Sequence, residues 1–154
     1  MKDYSSELIE KKGRPALELE WLSLDEMTKS LVDLLEGLAW ILFRREIVIT
    51  SMIRLDHPLH STGRCVDIDV DEENAYDGLA PGEALAIRET INEIFTYDPS
   101  RPKKHAIIYG DNDAEGKHWN HIHLQACWAN RTKLRREELK IWVAKLIAHA
   151  ETLT

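Results

Sequence analysis

Apolar positions recur at helical spacing early in the chain. Leu24, Met27, Leu31, Leu34, Leu35, Leu38 and Ile41 fall on one stripe, which predicts an amphipathic helix over 24–45. Ser23, with Glu26 three residues later, reads as its capping box, and Arg44-Arg45 suit the negative pole of the helix dipole. The period then shortens. Residues 46–53 are β-branched and apolar enough for a strand, and 65–70 alternate apolar with acidic residues in the period of two that marks a half-buried strand. A loop rich in Pro and His joins them.

Leu85, Ile87, Ile91, Ile94 and Phe95 follow Pro81-Gly82 and predict a second helix over 82–96. Residues 105–109 and 121–128 read as two further strands, separated by the polar loop 110–120, which is expected to wall a cleft. A last helix over 133–152 places Leu139, Trp142, Val143, Leu146, Ile147 and Ala150 on one face. Trp21, Trp40, Trp128 and Trp142 sit on these patterns and are expected in the core. Residues 1–22 form a polar arm with a turn at Gly13-Arg14-Pro15, and no function is expected of it. The element order does not alternate regularly, so the expected fold is α+β: a small, mostly antiparallel sheet covered by helices.

With 154 residues and 17.8 kDa, the chain suits a single domain over 1–154. Its composition, 44% hydrophobic and 31% charged, excludes a disordered or collagenous chain. The longest apolar run, 38–43, is far short of the roughly 20 residues of a membrane-spanning helix. A formal net charge of −7 argues against a general nucleic-acid binder, whose affinity rests on neutralising phosphates. The polar N-terminus lacks the hydrophobic middle of a secretory signal, and two cysteines are too few for a disulfide framework, so synthesis and initial retention in the cytoplasm are expected.

The histidines carry the chemistry. Of 7 His, His57 and His60 precede one strand, and His118, His121 and His123 cluster at the start of another. Two apart on a strand, His121 and His123 leave the same face, while Ile122 and Leu124 point to the other. Gly63 allows a turn between His60 and Asp67, so that a loop imidazole and a strand carboxylate can converge. Two imidazoles and one carboxylate are a usual set for catalytic zinc, which takes three protein ligands and leaves a fourth position for water. Cys65 is in strand phase with Asp67, and Cys127 with His123. Free Cys is among the most buried residue types, so both are read as small buried fillers.

His60-x-x-Gly63-x-Cys65-x-Asp67 followed by His121-x-His123 resembles the zinc peptidoglycan peptidases of the D-Ala-D-Ala carboxypeptidase type, peptidase family fifteen. These belong to the LAS group of lysostaphin-like enzymes, D-Ala-D-Ala metallopeptidases and the hedgehog signalling domain. The murein endopeptidase branch is the most similar, having a His three before the first ligand and another three before His-x-His, here His57 and His118. The stretch spans about 47–125. The resemblance implies a hedgehog/DD-peptidase-like fold and zinc held by His60, Asp67 and His123. It implies His121 as catalytic base and places His118 with His57 along the cleft; should His121 not be the base, His118 is next in line. Arg54 matches the strand-end Arg that binds the scissile carbonyl or the substrate carboxylate. His57, Trp119 and Asp69 are expected to meet substrate or support the ligands.

The implied activity is hydrolysis of an amide in peptidoglycan stem or cross-link peptides, by a phage or prophage lysin or by an enzyme of recycled peptides. The alternative is a zinc-stabilised binding or structural domain without turnover, such as a virion or signalling component. Pro58 stands where the family often has Ser, Cys65 where it has a small Ala, and Asn120 where the carboxypeptidases have their acidic base. The last departure moves the expectation toward endopeptidase. Two acidic stretches fail as calcium loops: 67–72 has Glu72 where Gly is required, and 111–122 ends on Ile122 where a bidentate Glu belongs. The basic run Arg131, Lys133, Arg135, Arg136 reads as a solvated helix face.

Overall fold

The computed structural model describes residues 2–54, 56, 58–71, 78–116, 120–128, 131 and 133–153. Its long helix, α3 (Glu26–Phe43), follows the predicted stripe: Met27, Leu31, Leu34, Leu35 and Leu38 are all buried. Truncating one of these fully buried leucines to alanine costs about 2–5 kcal/mol. The cap differs from the expected one. Asp25 accepts from the amides of Met27 and Thr28 at 3.2 and 3.4 Å, whereas the Ser23 hydroxyl donates back to Leu19 O. Arg44 closes the helix in the left-handed conformation, φ 55°, and Arg45 pairs with Glu83.

The arm is more structured than its polarity suggests. It forms β1 (Lys2–Tyr4), α1 (Ser6–Lys12) and α2 (Arg14–Ser23). Residues β2 (Ile47–Ser51), the short helix α4 (Pro58–Ser61) and β3 (Cys65–Asp69) follow α3. Next come α5 (Pro81–Ile94), the hairpin of β4 (Thr96–Asp98) and β5 (Arg101–His105), then β6 (Ile107–Ile108). A 3-10 turn at Gly110–Asn112, β7 (His121–Gln125) and α6 (Arg136–Leu153) complete the order.

The fold is α+β. The main sheet has the order β1-β2-β3-β7-β6 and is mixed: β1 runs parallel to β2, and the other neighbours pair antiparallel. The parallel edge comes from the arm, which sequence pattern left out of the sheet because three residues carry no period. The predicted strand 105–109 divides into the end of β5 and β6, separated at Ala106. One face of the sheet presents Ile49, Val66, Ile68, Ile107, Ile122 and Leu124 to α3 and α5, with α6 packed on those two helices, and this is the core. Trp21, Trp128 and Trp142 pack partly buried against it, but Trp40 is 41% exposed. Among the described residues no helix is long and apolar enough to cross a membrane.

Candidate metal centre

Strand alternation places the chemistry on the face opposite the core. In the β3–β7 ladder, Cys65 pairs with Gln125, Asp67 with His123 and Asp69 with His121, so six polar side chains share that face. His60 reaches it from α4. Gly63, at φ +69°, makes the turn from α4 into β3 and also packs tightly: a Cβ there would lie 3.1 Å from Leu24 Cα. Its carbonyl accepts from Asp25 N at 2.8 Å, which ties the His60 turn to the start of α3. Only glycine meets both demands at low cost.

His60, Asp67 and His123 are all buried and meet. His60 Nε2 lies 3.3 Å from Asp67 Oδ2, and His123 Nδ1 lies 3.1 Å from Asp67 Oδ1. The outer nitrogens are occupied. His60 Nδ1–H donates to Met52 O at 2.6 Å. The Gln125 amide donates its own N–H to His105 O at 3.0 Å, so its Oε1 must face inward, where it accepts from His123 Nε2–H at 3.2 Å. Each neutral ring therefore turns a lone pair toward the Asp67 carboxylate. Acceptors that converge in this way need a cation or extra protons between them.

The spacing suits a metal. The two contacts to Asp67 run to different carboxylate oxygens, while the donor atoms of His60 and His123 lie within 4.8 Å of one another. Partners that orient each imidazole through its other nitrogen are a usual feature of such centres. Burial pushes the Asp67 carboxyl up, but with protons rather than an ion between the groups, hydrogen bonds and charge from His123 and His60 outweigh it and hold the carboxyl well below the ordinary range.

Cys65 belongs to the same cluster. Ligand atoms of His60, Cys65 and His123 all lie within 4.8 Å of one another, and all three residues are buried. A buried His60–Cys65–His123 group that could hold a metal ion thus overlaps the set built on Asp67. The filler reading of Cys65 is right about its burial and incomplete about its surroundings. Burial raises its thiol far above the usual range, with the Asp67 charge adding and Arg54 opposing. Cys127 is only part-buried, and its amide bonds to Tyr97 O at 2.6 Å.

His121 is less buried than His123, and its Nδ1 lies 2.7 Å from Asn120 Oδ1. Arg54 is exposed and forms a two-pronged pair with Asp56, both contacts at 3.2 Å, close enough to the site for Asp67 and Cys65 to raise its pKa further. Asp69 lines a groove together with Arg54 and Ser51. His57, His118 and Trp119 lie outside the described residues, as does most of the expected cleft wall's C-terminal end.

Sequence reasoning missed two residues of this face. Gln125 was accessible through strand phase, two beyond His123. Ser51 was not, because the register shifts by one between Ile49↔Ile68 and Ser51↔Asp67. That bulge turns Ser51 from the core phase of Ile47 and Ile49 onto the face of Asp67. No protein-family model, curated protein or solved structure matches the chain.

Proposed function

We propose that this protein is a zinc-dependent metallopeptidase that hydrolyses an amide bond in peptidoglycan stem or cross-link peptides. One observation carries the reading: two buried imidazoles, His60 and His123, meet one buried carboxylate, Asp67, at 3.3 and 3.1 Å. The fit of His60, Asp67 and His123 to the motif of the D-Ala-D-Ala peptidase type supplies the substrate class. The same resemblance extends the proposal to a hedgehog/DD-peptidase-like sheet, with β1 as an added parallel edge.

Bound by these three residues, zinc supplies Lewis acidity toward the amide oxygen and an acidified water. The protein's own groups do the rest. His121, on the same face and two residue pairs along the ladder, takes a proton of the attacking water at Nε2 and passes it to the departing amine. Arg54 holds the substrate's carbonyl or carboxylate oxygen once Asp56 yields one arm of the pair. The apolar strand face behind Asp67 excludes water from the ligands.

A specific observation favours a second reading. The donor atoms of His60, Cys65 and His123 lie within 4.8 Å of one another, and a cysteine among the ligands is commoner in structural than in catalytic zinc sites. The chain would then be a zinc-stabilised binding or structural domain. Elemental analysis of the purified protein and of Asp67→Ala comes first. About one zinc per chain, lost in the variant, followed by release of peptides from peptidoglycan, supports the peptidase. Bound zinc with no release from any peptidoglycan type supports the structural domain, and no metal in either protein sinks both.

A further inference from the structure

The arm builds one wall beside the metal centre. Ser5 N donates to Ile49 O at 2.9 Å and Lys12 Nζ donates to Ile53 O at 3.0 Å, so α1 lies along the second half of β2. Between α1 and this strand runs a groove of about 850 Å³, within the roughly 300–1,000 Å³ usual for ligand sites. Ser51 and Asp69 line it, and they flank Asp67: Ser51 is its partner across the ladder, and Asp69 is two residues along the same face. The groove therefore opens beside the proposed zinc ligands. The Ser51 hydroxyl is buried beside it, with no hydrogen-bond partner among the described residues.

Charge in the groove is committed unevenly. Lys12 pairs with Glu20 at 2.7 Å, and Arg54 pairs with Asp56. Lys11 also lines the groove and is exposed, and among the described residues it enters no ion pair, not even with Glu7 one turn back. Lys11 is thus the ammonium open to an anionic group on a ligand, set beside the Glu7 and Asp69 carboxylates that line the same groove.

Resting on the peptidase reading, we infer that the α1–β2 groove seats the substrate peptide and that Lys11 is its specificity-determining cation, meeting a carboxylate of the stem.

The test is calorimetric binding of a synthetic peptidoglycan stem pentapeptide with free carboxylates, and of its fully amidated form, to the purified protein. The free-carboxylate peptide is expected to bind at least about fivefold tighter, and Lys11→Gln to lose about fivefold for it alone, as suits one exposed charge pair. Lys11→Arg should restore the preference, and metal content should be the same in all three proteins. Equal affinities for the two peptides, an unaltered Lys11→Gln, or binding of neither peptide overturns the inference. Failure of the two readings is separable. Zinc-dependent hydrolysis with affinity blind to charge leaves the peptidase standing without Lys11, whereas Lys11-dependent binding without hydrolysis leaves the groove and removes the peptidase.

Discussion

His123 and Asp67 are Cα partners on adjacent strands, and His123 Nδ1 faces Asp67 Oδ1 at 3.1 Å. Because Gln125 holds the other ring nitrogen as a donor, this contact joins a lone pair to a carboxylate unless a cation or a proton lies between. Gln125→Leu removes that constraint with little change in volume. Zinc affinity measured by chelator competition is expected to fall about 10–100-fold, the usual cost of losing an orienting partner. An affinity unchanged in Gln125→Leu would show that His123 does not bind through Nδ1.

His121 shares the face of His123 and pairs across the ladder with Asp69. If it is the base, His121→Ala should keep its full zinc content and lose turnover by about 10²–10⁴-fold. Wild-type turnover on released stem peptides in this variant would move the proton transfer to another residue, with His118 the next candidate.

Cys65 separates the open site from the closed one. In the catalytic reading the burial-raised thiol stays protonated beside a three-ligand centre, so the cobalt-substituted protein should show no sulfur-to-metal charge-transfer absorption. A band that disappears in Cys65→Ser would make the sulfur a ligand and the structural domain the better account.

Tyr4 reports whether the arm is docked. It is 4% exposed, and burial, with the Glu18 charge adding, pushes its phenol up to about 12. Since the folded value lies above the unfolded value of about 10, the neutral phenol's stabilisation is complete below pH 10 and is lost as pH rises toward 12. The stability difference between wild type and Tyr4→Phe in urea should therefore shrink by about 2 kcal/mol across that window. A difference that is flat with pH would mean that the arm is loose and the groove lacks its wall.

Periodicity was enough to read α3, β2, β3, α5, β7 and α6 to within a few residues, because each buries one apolar face and burial writes its period into the chain. The same period placed His121 and His123 together, and it would have added Gln125. It failed where an element is short or irregular: β1, α4 and β4 are too brief to show a period, and Trp40 falls at the edge of its helix stripe.

What the sequence by itself determined is therefore the set of donor residues and their shared strand face, since spacing along a strand dictates side. The tertiary structure decided the rest. It turned Ser51 toward Asp67 through a bulge, brought Cys65 within reach of two imidazoles, fixed each tautomer with Met52 O and Gln125, and laid the N-terminal helix along the groove. All of these depend on register and on contacts between segments distant in the chain, and local pattern carries no record of either.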